Sequence, residues 1–379
     1  MRKQNVVTVL APAKLNLALD VVGLLPNGYH DLDMTMQAIT LYERVVLRRS
    51  PYLNLRLPGS LVAPNNKNTA IKAALAFFHY TGLLAGVDIT IYKNTPVRAG
   101  MAGGSADAAA VLVGLNELYG ARLSMSELCA LGASIGADVP FALMGGTCRV
   151  QGVGDLLKPL PPVPDCWFTV VMPDYGVSTP EAFAAYDKVG STVHPDCETQ
   201  EAAVRAGDLD AVCAAAGNAL EECSGAKDTG AIKALLREKG AVTALMTGSG
   251  SAVFGIFRDE TSARAAAAAA KHRWKQVYTR SRTRAAHGSS DLSMNKPPSH
   301  GAEWLQGKEV FFVQTFYKIC LILMIVGGIN WGLVGLFQFD FVGWLLGGSA
   351  SIWSRIVFTL VGLAALCGIP GLFTEETEE

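Results

Sequence analysis

Apolar positions along this chain recur every second residue in some short stretches and with a helical period in the stretches between them. Val6 to Leu10 reads as a strand, Leu15 to Val22 as a second, and Asp31 to Leu57 carries further strand-like runs. Ala70 to Tyr80 has helical periodicity, with Asn68 placed to cap it. Val87 to Tyr92 alternates like a strand and enters a glycine-rich turn, and Ala106 to Leu118 leads out as a helix. Ser124 caps a short helix to about Ile135, and Leu143 to Val150, with Gly145-Gly146, reads as a strand. After Pro159 to Pro164, which looks like a hinge, Trp167 to Met172 is a strand. Pro173 to Phe183 is a loop entering a helix, and three helical patterns then run to Lys239. Ala241 to Met246 and Ala252 to Phe257 are strands around a second glycine-rich turn, Thr247 to Ser251. A helix, Thr261 to Lys271, and a strand, Gln276 to Arg280, close the segment. Strands alternating with helices across two hinged segments predict a two-domain α/β or α+β protein.

The pattern changes near residue 281. Ser281 to Lys308 is polar, basic and without periodicity, as in a linker. Val310 to Phe339 is apolar with one charge, Lys318. Phe341 to Leu346 and Ile352 to Phe373 are apolar again, interrupted by Gly347-Gly348-Ser349 and Arg355. Each long run supplies the ~20 residues of a spanning helix, which predicts a membrane hairpin. The basic arm before it, with Arg280, Arg282, Arg284, Lys296 and Lys308, places both ends in the cytoplasm. Two buried helices of a soluble domain are the alternative.

Composition narrows the function classes. A net charge of −1 over 379 residues gives no case for broad attraction to nucleic acid. The apolar fraction of 50% and mean hydropathy of +0.28 owe much to the tail and to alanine-rich helices. The eight cysteines form no Cys-x-x-Cys pair, so a reducing compartment fits better than a zinc site or a disulfide framework. Met1 to Asn5 is polar and does not resemble a signal peptide.

Three places carry candidate chemistry. Pro96 to Ala110 sets glycines and a serine between a strand and a helix N-terminus, where free N–H groups and the helix dipole make an anion site. No Gly-Lys-Ser/Thr follows, so it is not a Walker loop; plain packing is the competing reading. Lys14 and Asn16 lie two apart and share a strand face. Asp138 sits between small residues and Pro140, either as a helix cap or as a carboxylate with another task.

In combination these pieces resemble the GHMP kinases. The likeness covers residues 1 to about 284. It rests on Pro12-Ala13-Lys14-Leu15-Asn16-Leu17, Gly28-Tyr29-His30, Gly100 to Ala109, Gly136-Ala137-Asp138-Val139-Pro140-Phe141, Val177 to Phe183, and Thr247-Gly248-Ser249-Gly250-Ser251, in that family's order. The contexts of Lys14, Tyr29-His30 and Asp138 resemble the branch acting on 4-diphosphocytidyl-2-C-methyl-D-erythritol in the non-mevalonate isoprenoid route. The resemblance implies an α+β fold. Residues 1–158 would be an ATP-binding domain like the second domain of ribosomal protein S5, and residues 159–284 a ferredoxin-like C-terminal domain. A linker, 285–309, and a two-helix transmembrane domain, 310–373, would follow.

By the same resemblance, the γ-phosphoryl group of ATP passes to the tertiary 2-hydroxyl of that small molecule. Asp138 would take or orient the hydroxyl proton, and Lys14 would keep it ionised and bond the hydroxyl. Pro96, Gly100, Met101, Ala102, Gly103, Gly104, Ser105 and Ala106 would hold the phosphates, with Ser105 the hydroxyl near a Mg2+ ion arriving with ATP. Asn68 and Lys93 would lie near the nucleotide base. Tyr29 and Phe183 would sandwich the cytosine, His30 would bond its edge, and Asn16 and Thr179 would meet the rest of the substrate. Gly248, Ser249, Gly250 and Ser251 form the second glycine-rich turn.

The phosphate loop departs from the family's usual Gly-Leu-Gly-Gly-Gly-Ser-Ser-Asp. Met101 replaces Leu, Ala102 a Gly and Ala106 the second Ser; alanine at 102 is acceptable there only at negative φ. A mevalonate or homoserine kinase has no pyrimidine for the Tyr29-His30 pair. A membrane protein with a degenerate kinase-like module would not need Lys14, Asp138 and both glycine turns intact. Through Gly327 to Gly335 the tail resembles a small bacterial membrane family of two helices without settled function. Glycines four apart there allow close helix packing, and Asn330 is placed to bond across the hairpin. The lipid bilayer is the implied partner, with the kinase part cytoplasmic and tethered to the inner membrane.

Overall fold

A computed structural model describes residues 5–281, 327–348 and 351–368. They fall into two compact units, residues 5–281 and the tail. The predicted strands Val6–Leu10 and Leu15–Val22 are one strand, β1 (Val6–Leu24). Its pairing with β2 (His30–Ser50) shifts register between Pro12 and Lys14 and again between Asn16 and Ala18, which lets the ladder pass a residue without an N–H. Burial alternates from Val6 to Pro12 and is continuous from Ala13 to Leu19. The strand changes there from one buried face to two, so its hydrophobic pattern reads as two elements.

Around this pair lie β3 (Asn54–Arg56), β4 (Gly86–Tyr92), β5 (Thr147–Gly152), β6 (Leu156–Leu160) and β8 (Gly217–Asn218). The sheet runs β3-β4-β2-β1-β8, with β5 on the first half of β2 and β6 on β5. Helices α1 (Thr69–Thr81) and α2 (Gly103–Tyr119) cover it, closing a core of Val9, Leu47, Phe77, Ile89 and Leu112. Asn68 caps α1 by accepting from the N–H of Ala70, and Ser124 and Glu127 form a capping box on α3 (Met125–Ala133). The strand predicted from Leu143 to Val150 is instead the end of α4 (Val139–Met144) followed by β5. Gly145 and Gly146, both at positive φ, stop the helix and turn the chain.

The C-terminal half builds a second, antiparallel sheet, β11-β7-β10-β9, from β7 (Trp167–Met172), β9 (Thr243–Met246), β10 (Val253–Phe257) and β11 (Gln276–Ser281). Helices α5 (Thr179–Val189), α6 (Cys197–Ala206), α7 (Leu209–Ala214), α8 (Thr229–Glu238) and α9 (Glu260–Lys271) complete this ferredoxin-like arrangement. Leu15 and Leu17 of β1 share one core with Phe168 of β7 and Phe254 of β10, so the two halves are packed together along β1.

In the tail, residues 327–337 form α10, followed by α11 (Phe341–Leu345) and α12 (Ile352–Gly368). Most of the apolar run predicted to span from Val310 lies outside the described residues. Among the described residues no helix is long and apolar enough to cross a membrane. Close packing does occur, but not at the glycines four apart: a Cβ on Gly327 would fall 2.4 Å from Val361, whereas Gly328 and Gly332 have nothing within 4 Å. Buried Asn330 bonds the turn that starts α11, donating to Asp340 at 3.0 Å and accepting from the N–H of Val342 at 2.9 Å.

Ala102 overturns the expectation of negative φ. It precedes α2 at φ +56°, ψ +34°. In the left-handed region the Cβ of alanine crowds the following carbonyl oxygen, at a cost of about 1–2 kcal/mol. The bonds on either side hold it there: Ala106 N–H donates to Ala102 O at 2.9 Å, and Lys14 N–H to Met101 O at 3.2 Å. Ala102→Gly removes that strain and adds about 0.5–1 kcal/mol of chain entropy to be lost on folding, so the balance favours glycine by up to about 1.5 kcal/mol. The expected result is a raised denaturant midpoint at unchanged slope; a lowered midpoint would show that the strain is absent.

Candidate active site

The irregular stretch of β1 delivers Lys14 and Asn16 to one face. Lys14 is buried, at 5% exposure, and its ammonium donates to Asn16 Oδ1 at 2.6 Å. Lys14 Nζ also lies 4.0 Å from Asp138 Oδ2. Burial pulls the pKa of Lys14 below the ordinary lysine value, and the charge of Asp138 opposes that shift. Asp138 occupies the capping position of α4, yet its side chain makes no capping bond, because its backbone is already helical at φ −81°, ψ −6°. Ser124, with extended backbone at ψ 161°, shows what a cap needs. The carboxylate of Asp138 is therefore left for Lys14 and for whatever enters beside it.

The two glycine-rich turns meet above this pair. A Cβ on Gly100, at φ +72°, would sit 2.1 Å from the carbonyl oxygen of Thr247. One on Gly248, at φ +55°, would sit 2.8 Å from the carbonyl oxygen of Gly100 and 3.2 Å from Lys14 Nζ. Only glycine meets both demands at these positions. Thr247 ties the turns to β1: its hydroxyl accepts from the N–H of Asn16 at 3.0 Å and donates to Gly100 O at 3.3 Å. Asn218 holds the second turn from below, donating to Met246 O and Gly248 O, both at 2.8 Å. Thr179, at the start of α5, meets Ser249 hydroxyl to hydroxyl at 2.9 Å. Gly250 and Ser251 complete the turn, with Ser251 donating to Tyr175 O.

Within the first turn, Gly103, Gly104 and Ser105 form the start of α2, and Gly104 is exposed. Pro96, Met101 and Ala106 are buried, so their side chains shape the loop from the core side. Ala106 is packed in the main core at 0% exposure, where a serine hydroxyl would be buried. The ammonium of Lys93 is held between two buried carboxylates, 2.7 Å from Asp107 and 3.0 Å from Glu43. Glu43 also accepts from the N–H groups of Asn94 and Thr95 at 2.8 and 3.2 Å, where β4 gives way to the loop. Burial pushes Asp107 up to about 7 against the pull of Lys93, and its Oδ1 has no hydrogen-bond partner. The carboxamide of Asn68 is engaged in its cap, with Nδ2 reaching Ala63 O at 3.4 Å.

On the opposite side, His30 opens β2 and stacks on Phe183 at 4.6 Å between centroids and 23° between planes. Its Nε2 lies 2.7 Å from Asp187 Oδ1. Tyr29 is 64% exposed and makes no ring contact with Phe183. Thus Lys14, Asn16, Asp138 and both turns come together, as do His30, Phe183 and Thr179 with α5. Lys93 and Asn68 are tied into the framework. Residue patterns did not mark Glu43, Asp187 or Asn218; each acts through a partner far away in sequence.

Among the described residues no three His, Cys, Asp or Glu side chains gather as a metal site. The GHMP kinases N terminal domain family matches residues 68–146 and the GHMP kinases C terminal family residues 201–276. A domain of unknown function, DUF378, matches residues 314–373. The homoserine kinase of Cytophaga hutchinsonii superposes with a TM-score of 0.60 at 18% identity, covering 74% of this chain and 95% of its own, which is likeness of fold alone. A crystal structure of 4-(cytidine 5'-diphospho)-2C-methyl-D-erythritol kinase superposes with a TM-score of 0.62 at 32% identity, covering 73% of this chain and 98% of that one. The 4-diphosphocytidyl-2-C-methyl-D-erythritol kinase of Pelotomaculum thermopropionicum is 40% identical over 276 residues, 72% of this chain and 96% of the relative. Identity of that level over almost the whole of a relative goes beyond a common fold, and this chain belongs to the 4-diphosphocytidyl-2-C-methyl-D-erythritol kinases of the GHMP kinase family.

Proposed function

We propose that this chain transfers the γ-phosphoryl group of ATP to the tertiary 2-hydroxyl of 4-diphosphocytidyl-2-C-methyl-D-erythritol. The observation that carries the mechanism is the uncapped carboxylate of Asp138, 4.0 Å from the buried ammonium of Lys14 at the foot of two glycine turns. In the proposed step the substrate hydroxyl lies between these groups. Its oxygen attacks the γ-phosphorus, its proton goes to Asp138, and the bond from the γ-phosphorus to the bridging oxygen breaks to release ADP. Lys14 pairs with the Asp138 carboxylate and offsets charge gathering on the attacking oxygen. Asn16 holds the ammonium in position, since one of its three N–H groups is committed to Asn16 Oδ1 at 2.6 Å.

The triphosphate is assigned to the start of α2, where Gly103, Gly104 and Ser105 offer N–H groups without bulky side chains. A Mg2+ ion bound with ATP would neutralise phosphate charge, with Ser105 as the protein hydroxyl beside it. His30, Tyr29 and Phe183 are assigned to the cytosine, and Thr179 and Asn16 to the remainder of the substrate. His30 and Phe183 support this reading by already forming a stacked layer.

We further propose that the tail enters the bilayer as a hairpin. Support comes from the apolar run Val310 to Phe339 and from outward-facing large apolar side chains in the described part, among them Ile329, Trp331, Leu336 and Trp344.

Three outcomes are expected. Asp138→Ala abolishes phosphorylation of the cytidyl substrate while nucleotide binding, read by calorimetry, persists; near-normal turnover would overturn the assignment. The kcat of the unaltered enzyme falls as pH rises through the lowered pKa of Lys14, below the range of an ordinary lysine, because the free amine neither pairs with Asp138 nor offsets oxyanion charge. An alkaline limb at the usual lysine value or above would refute that role. In fractionated cells the full chain sediments with membranes and is released by detergent and not by salt; a full-length protein recovered wholly in the supernatant would rule out the tether.

A further inference from the structure

The contact between Asp187 and His30 has no part in the phosphoryl transfer above. Phe183, Tyr186 and Asp187 lie at positions i, i+3 and i+4 of α5 and therefore share one face of the helix. All three close on a single imidazole. Phe183 stacks on it, Tyr186 meets it edge-on at 6.3 Å and 88°, and Asp187 Oδ1 lies 2.7 Å from its Nε2. The ring is pinned in plane and in rotation by residues more than 150 positions away in sequence.

That grip has a chemical consequence. A carboxylate only accepts hydrogen bonds, so the hydrogen of the neutral ring is drawn to Nε2, and Nδ1 is left with a lone pair. Among the described residues no donor bonds Nδ1. A pyrimidine presented to that atom must offer a hydrogen. Cytosine offers its exocyclic amino group; uracil has a carbonyl oxygen at the same place, which sets lone pair against lone pair. We propose that Asp187 is a specificity-determining residue: by holding His30 in the Nε2–H tautomer it selects an amino-bearing pyrimidine over an oxo-bearing one. The inference rests on the reading that His30 meets the base.

The test uses the full chain and two substrates, the cytidyl compound and the same compound with uracil in place of cytosine. The side chain of Asp187 is 55% exposed, so Asp187→Ala leaves the core untouched. The unaltered enzyme favours the cytidyl compound in kcat/KM. In Asp187→Ala that preference drops about tenfold or more, the scale of one hydrogen bond turned from matched to mismatched. Nitrogen-15 spectra of labelled histidine move at the same time, from the Nε2–H form of His30 towards a mixture of tautomers. A uniform loss on both substrates with the preference intact is a structural effect and overturns the proposal. His30→Ala separates the two levels of inference. If it lowers the preference and Asp187→Ala does not, Asp187 has no role in specificity. If neither variant changes it, His30 does not meet the base, and the underlying reading fails with the proposal.

Discussion

The site depends on two backbones that touch with no side chain between them. Gly100 belongs to the loop before α2 and Gly248 to the turn between β9 and β10; a Cβ on Gly100 would meet the backbone of Thr247, and one on Gly248 the backbone of Gly100. Close-packed backbone leaves neither turn free to move alone. Lys14 and Asn16 run beneath, bonded through their own N–H groups to Met101 O and to the hydroxyl of Thr247. The ammonium that faces Asp138 is thus positioned by both halves of the enzyme at once. The preorganisation that phosphoryl transfer needs is built from main chain, the least flexible material available.

Much of this was readable from residue types. A glycine-rich passage from strand to helix, two polar residues two apart on a strand, and an acidic residue before Val-Pro each have a local signature, and all three meet in space. Asn68 and Ser124 show caps read correctly from sequence, because capping is decided within three residues. Other features depend on context. β1 reads as two strands because the C-terminal half covers its second face only from Ala13 onward. Ala102 takes a backbone that composition argues against, because bonds on both sides hold it. In the tail the close contact is made by Gly327 rather than by the regularly spaced glycines, since packing follows the neighbour, Val361, and not the spacing alone.

Lys93 shows most sharply what pattern cannot supply. Its place beside the glycine loop invites a role at the nucleotide, yet two buried carboxylates claim its charge. Glu43 lies fifty residues earlier, in β2, and Asp107 lies on the buried face of α2. Burial pushes Asp107 up to about 7; the one ammonium pulls against that rise and the charge of Glu43 adds to it. The cluster also accepts the N–H groups that open the loop, so it anchors the loop where β4 ends.

The bond from the Asn16 N–H to Thr247 joins residues 231 apart in sequence. Contacts of such separation close long loops and carry an entropic cost that local elements must first offset. The N-terminal sheet with α1 and α2 has a core of its own, whereas both clusters under the C-terminal sheet include residues of β1 and β2, and the meeting of Lys14, Asp138 and the two turns depends on that shared packing. Recovery of catalysis in a refolding chain therefore requires this long-range closure, and a chain with its N-terminal core alone holds the first loop without holding the site.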